Sequence, residues 1–235
     1  MPNYGNQKPP LGIYPDSAWI RKWGCKLFYT FRGHGLKEYN LVDRSGLTDG
    51  TLTNMAFPAS AVSGRVGKGL SFDGVNDYVD AGNGASLQII DKVTVSVWFK
   101  IYAIGGWQMI AGRANASGRS YEIFTMNGTS ALYFQIAPEK NVISGNLSLN
   151  VWHHAVLTYD HLFVRGYVDG VSVGTPVAYT GGIQNPAQSF RIGAWGDTYA
   201  YFNGLIDDVR IYNMALPESE INRQYRTPYY MFPRK

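Results

Sequence analysis

The sequence predicts an all-β sandwich followed by one short helix, and three observations carry that expectation. Its 27 glycines, 17 tyrosines and 11 prolines stand against only 16% charged residues, a balance that favours strands and turns over helix surfaces. The run VTVSVWFKI alternates: Val93, Val95, Val97, Phe99 and Ile101 share one face, and Thr94, Ser96, Trp98 and Lys100 the other, which is the period-2 signature of a half-buried strand. In FVRGYVDGVSVG, Asp169-Gly170 separates two β-rich runs, and that dipeptide suits a two-residue type I′ hairpin because both central residues take positive φ. A chain of 235 residues with 45% hydrophobic content is large enough for one domain with a substantial core.

The chain divides into three zones. Residues 1–25 hold Pro2, Pro9, Pro10 and Pro15 without periodicity and end in Trp19 and Trp23; they read as an extended arm anchored by aromatics. Residues 26–214 carry the strands: Lys26 to Phe31, Val93 to Ile101, Ala131 to Ile136, His154 to Asp160, the Asp169-Gly170 hairpin, Ser189 to Trp195 and Gly204 to Tyr212. Their spacing suits a two-sheet antiparallel sandwich. Residues 215–235 open with a helix signal: Pro217 at the first helical position, Glu218 and Glu220 beside the positive helix start, and Ile221 and Tyr225 four apart on one face. The closing RTPYYMFPRK reads as a second, aromatic and basic arm.

Composition excludes several function classes. No apolar run approaches the roughly 20 residues of a membrane helix, and the polar, proline-rich start lacks the charged and apolar regions of a signal peptide. Cys25 is the single cysteine, so no intrachain disulfide forms, and it reads as a small buried hydrophobe. The net charge is +4, and its basic excess lies in residues 1–70, with nine Lys/Arg against four Asp/Glu. Those cations are scattered, however, which argues for a solvated face over a nucleic-acid stripe.

The stretch LSFDGVNDYVDAGNG, 70–84, concentrates acids and glycines and could hold calcium, perform acid–base chemistry or build a turn. Asp73, Asn76 and Asp77 are expected to be turn builders, since Asp and Asn beside Gly cap backbone amides in tight turns. The adjacent His153 and His154 point to opposite faces of a strand and cannot share one metal. GRVGKG, 64–69, lacks the spacing and following helix of a phosphate loop and reads as a turn.

In order along the chain, GRVGKGLSFDGVNDYVDAG, VTVSVWFK, NVWHHAVLTYD, GYVDGVSVG, FRIGAW and NGLIDDVRIYNMALPESEI together resemble the laminin-G-like jelly-roll domain of the concanavalin A-like lectin/glucanase superfamily. The resemblance runs from about Lys26 to Tyr225 and implies one concave and one convex antiparallel sheet. Glycan-cleaving relatives place two glutamates on one strand. This chain has only Glu38, Glu122, Glu139, Glu218 and Glu220, none in such a pair, so no catalytic residues and no enzyme activity are expected. The resemblance also implies a convex-side calcium on Asp207, with Asp43 the nearest N-terminal carboxylate, although Phe31-Arg32-Gly33 stands where relatives carry an acid.

Stand-alone members with such ends look like proteins encoded by tailed bacteriophages. The expected role is therefore a non-catalytic structural or adhesive subunit on a virion surface, as a capsid decoration or tail-associated protein. It would dock on other virion proteins, or on itself as a homo-oligomer, through Trp19, Trp23, Tyr229, Tyr230 and Phe232, since aromatics enrich interfaces. The alternative expectation is a lectin-like module that binds cell-surface glycans, with Trp98, Trp107 and Tyr121 as stacking platforms on the concave face.

Overall fold

The computed structural model describes residues 23–29, 36–37, 40–41, 49–56, 58–115, 118–136, 139–196 and 199–228. Among them the strands are β1 (Cys25–Tyr29), β2 (Leu36–Lys37), β3 (Asn40–Leu41), β4 (Gly50–Thr53), β5 (Ala61–Ser63), β6 (Lys68–Asp73), β7 (Tyr78–Asp80), β8 (Val93–Ile101), β9 (Gln108–Asn115), β10 (Gly118–Thr125), β11 (Leu132–Ile136), β12 (Lys140–Ile143), β13 (His153–Tyr159), β14 (Phe163–Val168), β15 (Val171–Ala178), β16 (Arg191–Ile192) and β17 (Asn203–Tyr212). Helix α1 (Glu218–Arg226) follows. One sheet runs β15-β14-β13-β8-β17-β6-β5, with β1 also on β17, and the second runs β12-β11-β10-β9-β16-β7-β4-β3-β2. In the first sheet the central β8 pairs antiparallel with β13 on one side and with β17 on the other.

The two sheets meet through alternating side chains. Val93, Val95, Val97, Phe99 and Ile101 of β8 join one apolar cluster with Tyr121 and Ile123 of β10 and Phe134 and Ile136 of β11. This is the face that the alternation assigns to the core. The Asp169-Gly170 turn also forms as expected, with φ of 52° and 80°, and pairs Val168 with Val171. Where SFRIGAW predicts a longer strand, only Arg191–Ile192 pairs. Gly193 turns the chain out of the sheet at φ +84°, and a Cβ there would sit 2.4 Å from the Phe72 ring.

The opposite face of β8 departs from expectation. A half-buried strand is predicted, yet Thr94, Ser96 and Trp98 are buried too, Trp98 at 2% exposure. The C-terminal segment lies on them. Thr94 Oγ1 donates to the Met214 carbonyl at 2.7 Å and accepts from the Leu216 amide at 2.9 Å. Ser96 Oγ donates to Gln224 Oε1 of α1 at 3.1 Å. The Trp98 ring stacks on His154 at 5.0 Å and on Tyr225 of α1 at 5.7 Å, with the Arg65 guanidinium 4.6 Å from it. Trp98 is therefore a packing residue beneath the helix and not a glycan platform.

Helix α1 starts one residue later than predicted, with Pro217 in extended geometry as its N-cap. Glu218 and Glu220 lie in its first turn, Arg223 and Arg226 in its last, and Ile221 and Gln224 are buried, consistent with a helix held by its dipole and its apolar face. Cys25 is buried as expected, its thiol donating to the Leu27 carbonyl at 3.3 Å. No helix among the described residues is long and apolar enough to cross a membrane.

His154 is the polar group most constrained by this closure. Its Nε2 lies 2.8 Å from Ser96 Oγ; because that hydroxyl donates to Gln224, the imidazole must donate to the serine, which fixes a neutral tautomer. Burial, then the positive charge of Arg210, lowers its pKa from 6.5 to about 3. Below pH 6.5 the unfolded chain therefore takes up a proton that the folded chain refuses, and the imidazole's contribution falls by about 1.4 kcal/mol per pH unit until the folded value is reached. His154→Gln should consequently melt lower than wild type at pH 7.5 but lose less melting temperature between pH 7.5 and pH 5. Parallel decline of the two calorimetric curves would contradict this.

Candidate functional site

With α1 on the first sheet, the open depression lies on the outer face of the second. A cavity of about 200 Å³ is walled by Trp107, Phe124, Trp195 and Tyr199, with Met109 and Ala200, and carries Gln108, Arg119 and Glu122 as its polar residues. Strand period explains half of it: on β10, Tyr121 and Ile123 enter the core, so Glu122 and Phe124 face outward. The β9–β10 ladder shifts register between Arg119 and Glu122, a bulge-like break of the kind that re-aims side chains. Arg119 and Glu122 thereby meet at 3.3 Å. Gly112 lies opposite Glu122 across the ladder. A Cβ at 112 would approach the Glu122 Cβ to 2.5 Å, so the missing side chain makes room for the acid.

The aromatic wall has two parts. Trp107 stacks on Phe124 at 5.6 Å and Phe124 on Tyr133 at 5.3 Å, while Trp195 meets Tyr199 edge-on at 4.7 Å. Trp107 is 40% exposed. Gln108 braces the rim, donating from Nε2 to the Ala103 carbonyl and accepting the Asn203 amide, both at 2.9 Å.

The floor is polar, with Glu122 and Gln135 buried. Glu122 is 1% exposed, and burial raises its carboxyl to about 7, against the opposing pull of Arg119 and the Trp195 indole. Arg119 Nη1 donates to Glu122 Oε1 at 3.3 Å and to Gln135 Oε1 at 3.0 Å, and its guanidinium carbon lies 4.9 Å from the Trp195 ring. Glu122 Oε2 and Gln135 Nε2 are buried without a hydrogen-bond partner among the described residues. Stacking faces beside the Arg119 guanidinium, whose side chain is one-third exposed, suit a ligand with an apolar face and hydroxyl or acidic substituents.

Of the residues that the sequence proposed for stacking, only Trp107 is in this site. Trp98 lies under α1, and Tyr121 is fully buried in the core, its hydroxyl donating to the Leu87 carbonyl at 2.8 Å. Strand parity, which puts Tyr121 and Glu122 on opposite faces, is the reason. Asp207 is buried and its Oδ2 accepts the Val66 amide at 2.7 Å, so it pins the 64–69 turn to β17. One carboxylate facing an N–H donor does not by itself fit calcium, which wants six to eight oxygens. No cluster of three or more His, Cys, Asp or Glu of metal-binding type occurs among the described residues, and Asp43 lies outside them.

Asp73 builds a turn as expected, its Oδ1 accepting the Val75 and Asn76 amides at 2.8 and 3.2 Å. His153 and His154 do face apart: His153 Nδ1 lies 2.8 Å from Asp169 Oδ2, while His154 contacts Ser96. Among the docking residues, Trp23 is half-buried and packs on the cluster of Cys25, Phe28 and Tyr212. Trp19, Tyr229, Tyr230 and Phe232 lie outside the described residues.

Sequence reasoning missed Phe124, Arg119, Trp195 and Tyr199. Phe124 was accessible to it, because it shares the parity of Glu122. The other three reach the site through a ladder shift and a loop that no periodicity encodes.

The family model described as the concanavalin A-like lectin/glucanases superfamily matches residues 73–222. The adhesion G-protein coupled receptor V1 of Danio rerio is 25% identical over 152 residues, 60% of this chain, and the chain spans only 2% of that receptor's length. Trypanosoma rangeli sialidase, solved with the inhibitor DANA, superposes with a TM-score of 0.67 at 18% identity, over 88% of this chain and 33% of that one. Domain 4 of AbnA, a GH43 extracellular arabinanase from Geobacillus stearothermophilus solved with arabinotriose, superposes with a TM-score of 0.64 at 22% identity, over 85% of this chain and 97% of that one. At these identities the solved structures share the fold.

Proposed function

The chain belongs to the concanavalin A-like lectin/glucanase superfamily, and from that premise we propose that it is a non-catalytic binding module that takes a saccharide between Trp107, Phe124, Trp195 and Tyr199. The carrying observation is the exposed Trp107 and Tyr199, at 40% and 48%, set against the buried Phe124 and Trp195 beside a polar floor of Arg119 and Glu122. A sugar ring offers an apolar C–H face to such a wall and hydroxyls to such a floor. The cavity's roughly 200 Å³, about the liquid volume of six or seven waters, suits a single ring. The arabinotriose bound to the AbnA domain supports a saccharide as ligand.

The proposal of no catalysis rests on the carboxyl count. Both retaining and inverting glycosidases ordinarily need two carboxyl groups about the scissile bond, and Glu122 is the one acid among the residues that line the cavity.

A virion-surface subunit, a capsid decoration or tail-associated protein, is a narrower role for the same module. Its support is the proline- and aromatic-rich composition of residues 1–25 and 215–235; removing residues 1–22 should then abolish co-purification with particles while saccharide binding persists, and loss of neither would sink it.

On a glycan array the full chain should retain a subset of saccharides, and Trp107→Ala should weaken that retention by about tenfold or more, the equivalent of about 1.4 kcal/mol. Because Trp107 is 40% exposed yet stacks on Phe124, the melting temperature of the variant should fall by a few degrees, with the protein still folded at the assay temperature. Undiminished binding by the variant, an array without any retained saccharide, or release of a hydrolysis product would each contradict the proposal.

A further inference from the structure

We infer, resting on the saccharide reading above, that the cavity prefers an acidic sugar, of the uronate or sialate class, whose carboxylate docks on Arg119. Both hydrogen bonds of this guanidinium run through Nη1, to Glu122 Oε1 at 3.3 Å and Gln135 Oε1 at 3.0 Å. The group is steadied further over Trp195. Its Nε and Nη2 donors have no hydrogen bond among the described residues, and neither is among the buried polar atoms. They therefore reach solvent from a residue that lines the cavity.

An anchored guanidinium with its Nε–Nη2 edge open is a planar fork, and that fork matches the two oxygens of a carboxylate. A neutral sugar would leave this edge to water. A cationic ligand would meet Arg119 already placed over the Trp195 ring, where a cation would otherwise sit.

The floor adapts to an anion. Glu122 is faced by Arg119 on its own strand, by Gln135 of β11, by Gly112 and Met109 of β9, and by Trp195; Arg119 is the single charged residue in this set. Protonated, Glu122 places no negative charge beside the incoming carboxylate, and its buried carboxyl, raised to about 7, is easily held so. Above that pH, docking an anion on Arg119 draws a proton onto Glu122, so affinity falls as pH rises, by up to about tenfold per unit.

Titration calorimetry with two matched pairs tests this: trigalacturonate against its carboxyl-reduced neutral counterpart, and 3′-sialyllactose against lactose. At pH 6 the acidic member of at least one pair should bind about tenfold or more tighter than its neutral partner. That preference should shrink toward pH 8.5 in wild type but stay constant in Glu122→Gln. Arg119→Met should bring the acid-to-neutral ratio to about one, and Arg119→Lys, which keeps the charge without the fork, should lower it in part. Equal affinities within both pairs, or a preference that survives Arg119→Met and so belongs to the general basic surface, would overturn the acidic-sugar inference while the saccharide reading stands. Failure of all four probes, together with an array without retained saccharides, would overturn both.

Discussion

Among the described residues, packing of α1 and the segment before it on Thr94, Ser96 and Trp98 covers the outer face of β8. Trp98 lies between His154, Arg65 and Tyr225, and Ser96 and Thr94 tie the same segment down through side-chain hydrogen bonds. Burying aromatic rings removes on the order of 150–250 Å² each from water, about 4–6 kcal/mol per ring as an upper bound before ordering entropy. A sheet face bound this way cannot also receive a ligand. The aromatic surface available for recognition is accordingly on the other sheet, where Trp107, Phe124 and Tyr133 form a row.

The site itself depends on a second, smaller constraint. Glu122 is where it is because Gly112 leaves room opposite it and because a shift in the β9–β10 ladder brings Arg119 alongside. Burial then makes the acid difficult to ionise, and the one nearby cation only partly offsets that. A buried acid is often read as half of a catalytic pair. Here its partner is the Arg119 guanidinium and not a second carboxylate.

Much of the fold was legible in the sequence, because period-2 alternation and turn chemistry are local. The core face of β8 and the Asp169-Gly170 hairpin followed from adjacent residues, and α1 differed from its predicted start by one position. What covers the far face of β8 was not legible, since Thr94 and Leu216 are 122 residues apart and Ser96 and Gln224 are 128 apart. The same gap explains the misplacement of Trp98. Tyr121 was misplaced for a different reason: alternation separates the two faces of a strand without saying which parity enters the core. Trp195 and Tyr199 lie in an irregular segment, joined by a lone bridge, and only tertiary structure brings them to Trp107.

The six tryptophans offer the most direct measurement of the central claim, because each indole N–H gives its own signal in a nitrogen-labelled NMR spectrum. Titration with a saccharide that the protein retains should move the Trp107 and Trp195 signals and leave that of Trp98, sealed beneath Tyr225, in place. Shifts confined to Trp98 or to the N-terminal Trp19 and Trp23, with Trp107 and Trp195 unmoved, would contradict a binding site on the second sheet.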